Sequence, residues 1–333
     1  MKVLLCHYNG GDGGGAESAV RDQRRALELC GHEVHVCFQR PERDYARIKP
    51  DVVHFHTVHV GMGLGVLEWA QARRIPHCIS LHDYWPFCGD RMLMKYGAMP
   101  SRSDEPCSAV EGVCDGQCIN GPAGPDIPEI VNGSPTVIFS EYAGDIFRRH
   151  GIRVDAVIPH AIDTDVFCPK GPLPVEPVIL TMSAWVAFNT KGMHVLQAAL
   201  KREHLSAKCI TGVARDQVPD LLRMGNIFVF PSTYQETWGL CLTEAMSTGL
   251  ACIASSVAGA KAQIRDGFNG LLVPPRDADA LADALRRLVN DRDERERLGA
   301  NARAWALEHA NLQRMGLDYT RFYEGLLGGR YGA

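Results

Sequence analysis

Short apolar runs without a consistent polar face alternate with stretches of helical period along nearly the whole of this sequence. The first half reads "KVLLCHY", "HEVHVCFQ", "DVVHFHT", "HCISLHD", "TVIFS" and "DAVIP", interleaved with "AESAVRDQRRALELCG", "GLGVLEWAQARR" and "EYAGDIFRRHG". Strands apolar on both faces need cover on both, and helices between successive strands supply it when the strands run parallel. Gly31 and Gly151 stand where helix C-caps belong. After the proline-rich "FCPKGPLPVEP", read as a linker, the alternation restarts with "VILTMSA", "AKCITG", "NIFVFPS", "LACIASS" and "GLLVPP". The predicted fold class is α/β: two doubly wound Rossmann-like domains, residues 1–165 and 166–310, facing each other across a crevice that holds the ligand. Leu312, Met315, Tyr319, Phe322 and Leu326 recur at helical spacing, so residues 311–333 are predicted to form a terminal helix packing back on the first domain.

A length of 333 residues at 46% hydrophobic and 22% charged suits two domains with a core each. The formal charge of −4 supplies no global basic field, and no polybasic amphipathic helix stands out, so nucleic acid and membrane surfaces are not indicated as partners. No run approaches the roughly 20 apolar residues of a membrane span, and the start "MKVLLCHYNGGDGGG" reads as a first strand, so a cytoplasmic location is expected. Oligomeric state is not legible.

Residues 231–249, "PSTYQETWGLCLTEAMSTG", place Glu236 and Glu244 on either side of a glycine that opens a helix. An exposed helix start offers backbone N–H groups, here near Gly239, Leu240 and Cys241, and a dipole that favours an anion such as a diphosphate. Carboxylates beside that anion repel it, but they accept hydrogen bonds from neutral hydroxyls, and a sugar nucleotide carries hydroxyls at both ends. The plainer alternative makes Glu236 a solvated loop residue and Glu244 a helix-surface charge.

The stretch "VFPSTYQETWGLCLTEAMSTGLACIASSVAG…DGFNGLLVPPRDADALADAL" resembles the retaining glycosyltransferases of family 4, with their GT-B fold and Glu-x7-Glu motif. The resemblance implies an enzyme that moves a sugar from a nucleoside-diphosphate-sugar to a hydroxyl acceptor (a glycan, a lipid-linked acceptor or a small molecule), with retention by front-face attack and no covalent glycosyl-enzyme. It implies that Glu236 contacts the donor sugar, that Glu244 binds the ribose hydroxyls, and that the amides of Trp238, Gly239 and Leu240 lie against sugar and phosphate. Lys191, at "KG" before a helix, would neutralise the diphosphate, and His82 in "LHDYW" would contact the transferred sugar. A surface lysine and a core histidine are the plain alternatives. The resemblance further implies that no catalytic divalent metal is used.

Three positions depart from the family pattern. "MSAWVAFNTKG" lacks the usual Gly-Arg, "HAID" carries His160 in place of Asn-Gly, and Gln263 replaces a frequent glutamate. Gly13, Gly14 and Gly15 in "GGDGGGAES" follow the first strand and suit a backbone cradle for the diphosphate or the acceptor. His54 and His56 share a strand face at a spacing compatible with metal, and are read as structural.

Of twelve cysteines, eight lie singly in strands and helices as small hydrophobes. Cys88, Cys107, Cys114 and Cys118 crowd into residues 86–134, a segment rich in Gly, Pro and Ser. Four thiolates suit a structural zinc site or an iron–sulfur cluster; free thiols and disulfides are the alternatives. Two further readings of the whole chain stay open: a sugar-nucleotide epimerase or hydrolase on the same fold, and a non-catalytic GT-B-like binding protein. A modified nucleic-acid base is the least supported acceptor.

Overall fold

The computed structural model describes residues 1–8, 14–38, 40–59, 61–88, 123–183 and 189–331. By internal contacts it divides into two units, one holding the described residues up to Ala161 together with those from Leu312 onward, the other spanning Ile162–Asn311.

In the first unit the strands are β1 (Lys2–His7), β2 (Glu33–Phe38), β3 (Val52–His56), β4 (His77–Ser80), β5 (Thr136–Ile138) and β6 (Ala156–Val157). They form one parallel sheet in the order β2-β1-β3-β4-β5-β6. Every residue of β3 and β4 is buried, as the absence of a polar face required. The crossovers carry α1 (Gly15–Leu29), α2 (Pro41–Ile48), α3 (Gly65–Ala72), α4 (Ile127–Asn132) and α5 (Glu141–Arg149). The helix α4 falls inside the segment 86–134 that is rich in Gly, Pro and Ser; at six residues it is too short to display a helical period. Gly31 and Gly151 directly follow the C-caps of α1 and α5.

The second unit repeats the plan with β7 (Ile179–Met182), α6 (Met193–Arg202), β8 (Ala207–Ile210), α7 (Val218–Leu222), β9 (Ile227–Phe230), α8 (Leu240–Thr248), β10 (Ala251–Ser255), α9 (Ala258–Gln263), β11 (Leu271–Val273), α10 (Ala278–Asn290) and α11 (Arg292–His309). Its parallel sheet runs β11-β10-β9-β7-β8. Asp277 and Asp291 cap α10 and α11, accepting from the amides of Ala280 and Glu294 at 2.8 and 2.9 Å. In both sheets the order reverses beside the first strand, at β1/β3 and at β7/β9. Such a switch point leaves a crevice at the carboxyl ends of the strands, where ligands bind in folds of this kind.

The last helix, α12 (Leu312–Leu327), belongs to the first unit. Leu312, Met315, Tyr319 and Phe322 are buried in one cluster with Val20, Ala26 and Leu27 of α1, and Leu326 packs at its margin. Tyr323, which the apolar stripe omitted, is also fully buried, because its hydroxyl has partners inside: the Gln23 amide at 3.0 Å and His54 Nδ1 at 2.7 Å.

The proline-rich stretch read as a linker is pinned to the second unit. Arg223 Nε donates to Cys168 O at 2.7 Å, and Asn226 Nδ2 donates to the carbonyls of Pro174 and Glu176 at 2.7 and 2.8 Å. A single nitrogen of Arg303, Nη1, faces the carbonyls of Thr164, Phe167 and Ser247 and the Ser247 hydroxyl, all within 2.9 Å. Proline cannot donate, so a chain this rich in it is tied down through its carbonyls by donors from elsewhere. Arg303→Met should therefore destabilise the second unit by about 3 kcal/mol, the scale of charged hydrogen bonds lost from partly buried carbonyls. Urea melts would show this as a lower midpoint at unchanged slope; an unchanged midpoint would mean the segment is held by other contacts.

Candidate functional site

In the second unit the chain leaves β7, turns through Asn189–Lys191 and enters α6 at Gly192. Gly192 has φ of 67°, and a Cβ there would lie 1.7 Å from the Pro231 carbonyl oxygen. Only glycine allows the loop after β7 to press so closely on the loop after β9. The two loops are then stitched through one atom: Thr190 O accepts from the Thr233 amide at 2.9 Å and from the Thr233 hydroxyl at 3.2 Å.

This stitching brings Lys191 onto Glu236. Nζ lies 2.6 Å from Oε1, 3.2 Å from the Tyr234 hydroxyl and 4.9 Å from the centre of the Tyr234 ring. Ser232 donates to the same Oε1 at 3.2 Å, and the Tyr234 hydroxyl donates to Oε2. Burial works against the Lys191 charge, but the Glu236 carboxylate outweighs it, and the amine is held above its ordinary value. Burial raises the Tyr234 phenol, and Glu236 raises it further, so it stays a donor. Three donors fill three of the roughly four acceptor sites of the Glu236 carboxylate, leaving room for one more.

From Glu236 the loop passes Trp238 and Gly239 into α8. The Trp238 side chain is core: its indole N–H donates to Thr243 Oγ1 at 2.9 Å, and the Gln263 amide donates to its carbonyl at 2.8 Å. Gln263 also accepts from Thr243 at 2.8 Å, so the residue standing where a glutamate was expected braces the entry to α8. Gly239 caps the helix at φ of 96° and offers no side chain to its first amides, so these face outward unsatisfied by a cap. Glu244 sits one turn into α8, 2% exposed, ion-paired with Arg215 from the turn after β8. Burial pushes its carboxyl up, and the Arg215 guanidinium pulls it back only in part.

Lys191, Glu236, Trp238, Gly239, Leu240 and Glu244 thus gather around the β7/β9 switch point of one unit. The other named residues lie in the first unit. Gly14 is the extended N-cap of α1 and Gly15 its first residue, while Gly13 lies outside the described residues. His82 follows β4, with Nε2 2.9 Å from His56 Nδ1 and its ring 5.4 Å from that of His160. His160 stacks on Phe139 at 3.6 Å, and burial lowers its pKa to about 3. Cys88 is buried at the end of the described segment, its amide bonded to Tyr84 O. Cys107, Cys114 and Cys118 lie outside the described residues, and with them the metal-site expectation. Among the described residues no cluster of three His, Cys, Asp or Glu is arranged to hold a metal; His54 and His56 stack at 4.2 Å, with His54 bonded on both nitrogens to protein groups.

Sequence reasoning missed Ser232 and Tyr234 as partners of Glu236, Arg215 as the partner of Glu244, and the contact of His56 with His82. Ser232 and Tyr234 were within reach, since both stand in the quoted loop beside Glu236. Arg215 left no local signal.

Two parallel α/β units with these switch points and a helical C-terminus define the GT-B fold. The structure superposes on sucrose-phosphate synthase of Thermosynechococcus elongatus with a TM-score of 0.75 at 18% identity, covering 98% of this chain and 99% of that one. HepE of Anabaena, in complex with UDP and glucose, gives 0.72 at 18% identity, covering 97% and 99%. Residues 190–305 match the family model described as glycosyl transferases group 1, in keeping with the resemblance drawn from the sequence. A D-inositol 3-phosphate glycosyltransferase of Xylanimonas cellulosilytica is 28% identical over 225 residues, 53% of this chain and 54% of that protein. The chain spans about half the length, or less, of the first curated relatives it matches. Among the described residues no helix is long and apolar enough to cross a membrane.

Proposed function

We propose that this chain transfers a sugar from a nucleoside-diphosphate-sugar to a hydroxyl acceptor with retention of configuration. The observation that carries the reading is the pair of buried carboxylates, Glu236 and Glu244, on either side of the uncapped start of α8, with Lys191 2.6 Å from the first. The diphosphate is assigned to the α8 amides and Lys191, where its charge grows as the sugar departs. Glu236 takes a sugar hydroxyl with its remaining acceptor site, and Glu244 the ribose hydroxyls. His82 is assigned to the transferred sugar, and Gly13, Gly14 and Gly15 to diphosphate or acceptor. Both carboxylates are engaged by cations, which makes them poor nucleophiles and supports departure without a covalent glycosyl-enzyme. The donor complexes of HepE, with UDP and with UDP-glucose, make UDP-sugars the first donors to test.

The test is thermal stabilisation of the protein by UDP-, GDP-, ADP-, CDP- and TDP-sugars, with Glu244→Ala as the control. A donor at about 100 times its dissociation constant stabilises by roughly 2.7 kcal/mol, and the control should lose most of that. Mass spectra of the donor-loaded protein should show no covalent adduct. Stabilisation by no nucleotide, or equal stabilisation of the control, would defeat the assignment; product formed without any acceptor would point to an epimerase or hydrolase instead.

A further inference from the structure

The contact between His56 and His82 joins two imidazoles by one hydrogen bond, Nδ1 of the first to Nε2 of the second at 2.9 Å. Burial holds both rings well toward the neutral form, so a single proton lies between them and one ring must donate while the other accepts. There are two arrangements. If His82 donates from Nε2, His56 must carry its own proton on Nε2. If His56 donates from Nδ1, its Nε2 is a bare lone pair and His82 carries its proton on Nδ1.

The surroundings of His56 separate the two. Its Nε2 is fully buried and has no hydrogen-bond partner among the described residues. The neighbouring titratable groups that bear on it are His54, His82, His7 and His160, with no carboxylate among them to receive a proton. Nor is His54 available. The Gln23 amide donates to its Nδ1 at 3.0 Å, so its proton is on Nε2, given to Ser80 Oγ at 2.8 Å. A buried N–H without an acceptor is rarer in proteins than an acceptor without a donor. The first arrangement creates the former; the second leaves only the latter.

We propose that His56 is a positioning residue that donates from Nδ1 to His82 and thereby fixes His82 as the Nδ1–H tautomer, a hydrogen-bond donor at that nitrogen. Resting on the proposed function, that N–H serves an oxygen of the transferred sugar, and His82 acts by orienting and polarising it, not by taking a proton there. The tautomer itself does not depend on that reading.

The experiment is a long-range proton–nitrogen correlation spectrum of the whole protein labelled with nitrogen-15 at histidine, with the two rings identified by the signals lost in His82→Gln and His56→Asn. The expected spectrum shows a protonated Nδ1 and an unprotonated Nε2 on both His56 and His82. A protonated Nε2 on His82 would overturn the proposal whether or not the protein transfers sugar. With a donor and acceptor in hand, His56→Leu should lower kcat/KM by roughly tenfold, the worth of one hydrogen bond. His56→Asn, whose amide nitrogen overlies the lost Nδ1, should restore it to within about threefold. Equal losses in both variants would reduce His56 to a packing role. If His56→Leu does not fold, the wild-type spectrum and the asparagine variant still decide the matter.

Discussion

Lys191→Met is expected to lower sugar transfer by a factor of roughly 100 to 1,000, the scale seen when one preorganised group facing a developing negative charge is removed. The same change strips Glu236 of its cation. A mostly buried carboxylate left with only the Ser232 and Tyr234 hydroxyls should cost the second unit about 2 kcal/mol, less than for a fully buried pair because Lys191 keeps some exposure. The double variant Lys191→Met, Glu236→Gln separates these effects. Its neutral amide still meets the Ser232 and Tyr234 hydroxyls, so stability should return toward the wild type while transfer stays low. Urea denaturation and initial rates on the three proteins check this. Recovery of transfer along with stability would make Lys191 merely a counter-ion of Glu236, and would remove it from the diphosphate site.

The first unit is expected to fail in mild acid before the second. His54 and His160 are fully or almost fully buried, and burial lowers their pKa values to about 3. In the unfolded chain a histidine titrates near 6.5, so between those values the unfolded state binds more protons and stability falls as pH falls. Each residue contributes a loss of about 1.4 kcal/mol per pH unit across that window, and two together close to 3. Across the whole window the two remove about 10 kcal/mol, comparable with a domain stability of roughly 5–15 kcal/mol, so the unit should weaken steeply below pH 6.5. Glu244 in the second unit has the opposite sign. Its carboxyl is raised on folding, so the contribution it makes is present in acid and lost as pH rises through the folded value. Hydrogen exchange between pH 7 and pH 4.5 should therefore show protection lost first in β1, β3 and β4. Equal loss in both units, or a His54→Gln variant with an undiminished pH slope, would contradict this account.

Much of the scaffold was legible because it is written locally. Most strands announced themselves as short apolar runs, and β3, β4, β9 and β10 are buried along their whole length as such runs demand. The glycine before α8 was readable as a helix start because its neighbours change period there, and the structure adds why it must be glycine: φ of 96°, with the Phe230 ring 2.9 Å from where a Cβ would stand. The terminal stripe on α12 told of a buried face for the same reason.

The partners of the charged groups were another matter. Arg215 meets Glu244 across 29 residues of chain, and Tyr323 meets His54 across 269. His56 meets His82 because β3 and β4 are neighbours in the sheet, His56 pairing in register with Ser80. By itself the amino-acid sequence determined the two α/β halves, the helix at the end and the residue types suited to hold a sugar nucleotide, since period and motif are properties of adjacent residues. Which cation neutralises which carboxylate, and which imidazole carries the proton, were decided only by the tertiary structure. Those pairings depend on strand order and loop contact, and an alternating pattern of strands and helices is compatible with many orders.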